Sequence, residues 1–172
     1  MAQKLEKIHF IITGGTIDSH WDPIRDTAVA NERSIIPEFV IRLNLPFPFD
    51  TTTVCMKDSR EVNDEDRQRI IKTIEASNSH DFLITHGTYT MAETARFIKS
   101  HLKRKDVTII LTGSFVPFTD IIRSDGGFNM GFAIAQLQHL DPGVYIAMNA
   151  QVFEADEAEK VIHEGRFAPR VN

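Results

Sequence analysis

Glycine and hydroxyl residues gather at the ends of short apolar runs in this sequence. Thr13-Gly14-Gly15-Thr16 closes the first run, Lys57-Asp58-Ser59-Arg60 the second, His86-Gly87-Thr88-Tyr89-Thr90 the third and Thr112-Gly113-Ser114 the fourth, and a fifth run stops at Asn149. Glycine lets backbone amides approach a ligand, and a neighbouring hydroxyl can attack a carbonyl or bind a carboxylate. One such tip would be an ordinary turn or helix cap. Four together point to hydroxyl chemistry on a small ligand. The chain contains no G-x-x-x-x-G-K-[ST], no G-x-G-x-x-G and no G-x-S-x-G, so the phosphate-loop, dinucleotide and nucleophile-elbow readings lack their fingerprints. The seven histidines show no metal-ligand spacing, and no metal or cofactor is expected. His86, on a tip beside Thr88, reads as a hydrogen-bonded structural residue, because the hydroxyl chemistry needs no histidine base.

The elements that must hold these tips alternate strand and helix. Apolar, mostly β-branched runs at 8–12, 53–56, 82–85, 107–111 and 144–148 read as strands buried on both faces. Asn63 is placed to cap a helix with Ile70, Ile71 and Ile74 on one face, and Asp64, Glu65 and Asp66 in its first turn suit the helix dipole. Thr90 and Glu93 have capping-box spacing before Met91, Ala95, Ile98 and Leu102. Further helices are expected over 125–140 and 35–45, the latter with Pro37 in its first turn, and 18–31 reads as loop-rich. This alternation predicts an α/β fold: a doubly wound, mainly parallel sheet flanked by helices on both faces, in a single domain over 1–172. Ligands of such sheets bind beyond the carboxyl ends of the strands, where the tips lie.

The 172 residues, 42% of them hydrophobic, support one core and not two. A net charge of −5 with scattered basic residues gives no electrostatic track for nucleic acid or an anionic membrane surface, so the expected partner is a small molecule. Cys55 is the single cysteine, which excludes an intrachain disulfide and favours a reducing compartment. The first apolar run is too short for a secretion signal and none reaches the length of a membrane span; the expected location is the cytoplasm.

The segment Ile12-Thr13-Gly14-Gly15-Thr16-Ile17 resembles the T-G-G-T-I signature of the bacterial-type L-asparaginases, and 86–95 resembles their second signature, H-G-T-D-T-M-x-E-T-A. Leu111-Thr112-Gly113-Ser114, Ser124-Asp125-Gly126, Met148-Asn149 and Lys160 follow in the family's order. The resemblance covers nearly the whole chain. It implies hydrolysis of L-asparagine to L-aspartate and ammonia through a threonine acyl-enzyme, with Thr16 as nucleophile, Thr88 as second threonine and Lys160 as its basic partner. It also implies a substrate-binding set of Gly15, Asp58, Ser59, Arg60, Gly87, Tyr89 and Ser114, in which Ser59 receives the substrate α-carboxylate and the amides of the glycine-rich tips hold the oxyanion. Tyr89 stands where the family has Asp, and no tyrosine occurs between Thr16 and Ile36 to match the family's loop tyrosine. The chain resembles the family's N-terminal domain without the C-terminal one, as in a short single-domain branch, and a homo-oligomer is expected to complete the site. The departures leave two alternatives: a non-catalytic amino-acid-binding or regulatory module, and an amidase or esterase for a substrate that is not an amino acid.

Overall fold

The computed structural model describes residues 5–120 and 122–170. In chain order the elements are β1 (Ile8–Gly14), β2 (Ser19–Asp22), β3 (Thr27–Ala30), α1 (Ile36–Arg42), β4 (Phe49–Lys57), α2 (Asp64–Ala76) and β5 (Asp81–Thr85). They continue with α3 (Met91–His101), β6 (Thr108–Thr112), α4 (Gly126–Gln136), β7 (Gly143–Met148), β8 (Gln151–Glu154), β9 (Ala158–Val161) and β10 (Arg166–Pro169). One sheet has the order β4-β1-β5-β6-β7-β8, parallel except for the antiparallel β7–β8 pair.

Every residue of β1, β5 and β6 is buried, because helices cover both faces of the sheet. The two-residue repeat of a strand sorts their side chains between two layers. Ile11, Ile84, Leu111 and Ile146 pack with Ile70 and Ile74 of α2 and Met91 and Ile98 of α3. Phe10, Ile12, Leu83 and Ile110 pack with Ile36 and Val40 of α1 and Met130 and Ala133 of α4 on the opposite face. The expected doubly wound architecture therefore forms. Asn63 caps α2 reciprocally: its side chain accepts from Asp66 N at 3.0 Å, and the Asp66 carboxylate accepts from Asn63 N at 3.2 Å.

Four expectations are corrected. The segment 18–31 is not merely loop: β2 and β3 pair as an antiparallel hairpin. Its strands bury little, so they carry no apolar alternation to read, and the turn is held by the Asp22 carboxylate, which accepts from Ile24 N and Arg25 N at 2.9 and 3.2 Å. The helices expected over 35–45 and 125–140 are shorter, ending at Arg42 and Gln136. Thr90 makes no side-chain cap; its hydroxyl donates instead to Ser59 O at 2.6 Å. The run 53–56 is not buried on both faces: it belongs to β4, an edge strand with no fully buried residue. The acidic stretch around Lys160 forms the small β9–β10 hairpin, anchored in the core by Ala158 and Phe167.

Candidate active site

The strand order reverses direction around β1: the chain passes from β1 out to β4, then back across β1 to β5. In an open α/β sheet the ligand crevice opens at that switch point, beyond the carboxyl ends of the two strands that flank it. Here those ends lead into Gly15-Thr16 and Gly87-Thr88.

Sterics decide how closely the tips meet. Gly14 and Gly15 have φ of +87° and +81°, a region unfavourable to residues with a β-carbon. A methyl group on Gly14 would lie 2.6 Å from Lys57 N, and one on Gly15 would lie 2.3 Å from Gly87 N. A methyl on Gly87 would in turn lie 2.7 Å from both Cβ and Oγ of Ser59. Gly15 N donates to Lys57 O at 2.8 Å. The tips of β1, β4 and β5 are thus in backbone contact, which puts Thr16, Ser59 and Thr88 around one small region.

Not all of the tip hydroxyls face it. Thr13 Oγ1 donates to Thr85 O at 2.8 Å, Thr112 Oγ1 to Ala147 O at 2.8 Å and Ser114 Oγ to Val116 O at 2.7 Å. The Thr13 and Thr112 hydroxyls, with Thr90 on Ser59 O, tie neighbouring strand ends to one another. The fully buried Ser114 instead uses its hydroxyl in its own turn. Thr16 is half-buried and opens the short 3-10 turn Thr16–Asp18.

Lys160 reaches the site from outside the sheet. Its ammonium donates to Thr88 Oγ1 at 2.7 Å across 72 residues of sequence. Its strand is located by Phe167, which pairs with Lys160 across the hairpin and whose N–H donates to Asn149 Oδ1 at 3.0 Å. Asn149 N donates to Asn129 Oδ1 at 3.3 Å, and Asn129 Nδ2 to Gly113 O and Asp125 Oδ2, both at 2.9 Å. Burial pushes the Lys160 amine below the ordinary lysine value and Arg60 pushes it the same way, while Asp58 opposes them. Asp58 is gripped by Arg60, whose Nε and Nη2 donate to its two oxygens at 3.0 and 2.7 Å, and this hydrogen-bonded pairing holds its carboxyl below the usual range. The guanidinium carbon of Arg60 also lies 4.9 Å from the centre of the Tyr89 ring. A cavity of about 330 Å³ adjoins this cluster, lined by Thr88, Tyr89, Glu93, Arg96, Glu159 and Lys160 among others. Thr16 is not part of its lining.

His86 is fully buried beneath the tip. Its Nδ1 donates to Gly87 O at 2.8 Å, which leaves Nε2 to accept from Thr94 Oγ1 at 3.0 Å. Arg67 Nε donates to the same Thr94 oxygen at 3.2 Å. Desolvation lowers the imidazole pKa to about 4, so the ring is neutral and acts as a strut for the Gly87-Thr88 turn. Sequence reasoning did not find Arg67 or Asn129, whose local pattern does not separate them from helix-face residues, and it met Thr94 only as a letter of the second signature. Among the described residues, no group of three His, Cys, Asp or Glu side chains could hold a metal.

The family profile described as "Asparaginase, N-terminal" matches residues 7–168. The chain belongs to the asparaginase family. It is 28% identical to L-asparaginase of Thermococcus kodakarensis over 157 residues, 90% of this chain and 48% of that protein. The solved structure of the thermostable L-asparaginase from that organism superposes with a TM-score of 0.81 at 25% identity, covering 95% of this chain and 51% of the other. L-asparaginase 1 of Escherichia coli is 34% identical over 133 residues, 73% of this chain and 38% of that protein. The structure of a probable cytoplasmic L-asparaginase from Campylobacter jejuni matches with a TM-score of 0.78 at 25% identity, covering 95% of this chain and 51% of that one. The chain spans about half the length of the curated relatives first matched. The L-asparaginases it resembles are amidohydrolases.

Proposed function

We propose that the chain hydrolyses L-asparagine to L-aspartate and ammonia through an acyl-enzyme on Thr16. The observation that carries this reading is the 2.7 Å contact between Lys160 and Thr88, set beside the Gly15-Thr16 tip at the sheet's switch point. Thr16 Oγ attacks the carboxamide carbon while its proton passes to the leaving nitrogen, which departs as ammonia. Water then adds to the ester, giving its proton to the Thr88–Lys160 pair, and the acid is released as Thr16 recovers its hydrogen. Water is a weak nucleophile until a base is at hand, and a lysine held below its ordinary pKa, acting with Thr88, supplies one. The amides of Gly15 and Gly87 are candidates for stabilising the oxyanion, and Ser59, with Arg60 beside it, for receiving the substrate α-carboxylate. Asp58 and Tyr89 complete this set by fixing Arg60 and Lys160.

We also propose a cytoplasmic location and a homo-oligomer. No helix among the described residues is long and apolar enough to cross a membrane. Ile24, Ile122 and Phe128 expose large apolar side chains that a second copy would cover.

The test is ammonia release from L-asparagine by the purified chain and by Thr16→Ala and Thr88→Val. Each substitution is expected to lower turnover by roughly 10³-fold or more with an unchanged thermal melt. Turnover retained in either variant would refute the assigned roles.

A further inference from the structure

Lys160 Nζ has three close neighbours: Thr88 Oγ1 at 2.7 Å, the centre of the Tyr89 ring at 3.6 Å and the centre of the Phe115 ring at 5.2 Å. Among the described residues no carboxylate pairs with it. Asp58, the acidic group that faces it, has its oxygens on Arg60. Arg60 lies against the same tyrosine ring, so Tyr89 is shared by two cations and directly follows the threonine that the amine touches.

We propose that Tyr89 is a positioning residue whose ring face, in place of a carboxylate, holds the Lys160 amine on the Thr88 hydroxyl. This rests on the amidohydrolase reading for its purpose, but its geometry stands alone. An ammonium is drawn to the negative face of an aromatic ring, and less strongly than to a full negative charge. The ring therefore fixes the amine without locking it in its charged form. A carboxylate at this position would bias the amine toward its ammonium form more strongly than the ring does. The other charges nearby do not provide that lock. Glu93 pairs with Arg67, and Glu159 shares the cavity wall with Arg96 and Arg170. Arg60, held by Asp58, also lies against the ring, so the same salt bridge that neutralises Asp58 braces Tyr89. Tyr89 is 52% exposed, so replacing it disturbs no core packing.

The test reads Lys160 directly. The intact chain is labelled with acetic anhydride across a pH series, and acetylation of each lysine is followed by peptide mass spectrometry. In the wild type, Lys160 is expected to reach half-maximal reactivity at lower pH than the exposed Lys72. Tyr89→Phe is expected to keep that midpoint, and Tyr89→Asp to raise it by about one to three pH units. A midpoint that Tyr89→Asp leaves in place, or that Tyr89→Phe moves as far as Tyr89→Asp does, overturns the proposal. Kinetics supply a second arm: Tyr89→Leu is expected to lower kcat about 10-fold or more and to change KM by less than about 3-fold. A raised KM with kcat intact would make Tyr89 a substrate contact and overturn the positioning role. Labelling needs no turnover, so an inactive chain with the expected midpoints would refute the amidohydrolase reading alone.

Discussion

Gly15 lies so close to Gly87 that a β-carbon on Gly15 would stand 2.3 Å from the Gly87 nitrogen. This contact brings the residue after β1 alongside the residue after β5, and two separate constraints fix the glycines. Gly15 adopts φ +81° and ψ −175°, a conformation essentially reserved for glycine, and it also has no room for a methyl. At Gly87 the constraint is space alone, set by the Ser59 side chain. Gly15→Ala is accordingly expected to cost about 3 kcal/mol or more, from backbone strain added to overpacking. Gly87→Ala is expected to cost less in stability while displacing Ser59 and lowering kcat/KM. Denaturant melts with steady-state kinetics on both variants check this, and equal stability losses would contradict it.

The central strands β1, β5 and β6 were legible because burial on both faces leaves continuous apolar runs, the less buried β7 and edge strand β4 by their β-branched residues, and the tips because glycine and hydroxyl residues follow those runs. What remained hidden is what tertiary contact decides. β2, β3 and β9 bury few side chains, so no period marks them. Lys160 sits among Glu154, Asp156, Glu157 and Glu159, which reads as a solvated surface; Ala155, Ala158 and Phe167 instead draw that segment into the core. Nor does sequence reveal which hydroxyls turn inward. Thr13, Thr112 and Ser114 bind carbonyls of the scaffold, whereas Thr88 meets the amine, and all four stand at or just past the ends of similar strands.

Asn149 connects the sheet to Lys160 without touching it. It and Ala150 form the tight β7–β8 turn with φ of +54° and +61°, and asparagine tolerates that region better than most residues. Its side chain also takes the Phe167 N–H, which fixes the strand paired with Lys160. Asn149→Ala should cost about 1–3 kcal/mol through the unpaired amide and the strained turn. It should also reduce kcat by roughly 10- to 100-fold, since a small displacement of a catalytic group is enough for that loss. A full loss of stability with kcat untouched would show that Lys160 is located by other contacts.

His86 makes stability depend on pH. The folded protein holds this imidazole at a pKa of about 4, against 6.5 as its ordinary value, because burial disfavours the cation. The unfolded chain therefore binds the additional proton between those limits, and stability rises with pH across them. The neutral-ring contribution is complete above about 6.5 and disappears as pH falls through about 4. His86→Asn keeps a donor for Gly87 O and removes the titration. From pH 7 to pH 4 the wild type is expected to lose about 3 kcal/mol more than the variant, measured by urea unfolding. Parallel losses would mean that the ring charges without penalty.

Ser59 and Ser114 distinguish a ligand contact from a structural one. Both are buried at strand tips, but Ser114 donates to Val116 O, whereas Ser59 packs against Gly87 at the meeting point of three tips. If Ser59 receives the substrate carboxylate, its hydroxyl makes a charge-assisted bond, and Ser59→Ala should raise KM by roughly 10- to 100-fold with a small effect on stability. Ser114→Ala should show the reverse: about 1 kcal/mol of lost stability from the missing bond to Val116 O, which keeps its second donor, Ser124 Oγ, and a much smaller rise in KM. Comparing KM for L-asparagine with the chemical melt of each variant separates the two roles. Equal effects on KM would place both hydroxyls on the ligand and require Ser114 to turn away from Val116 when substrate binds.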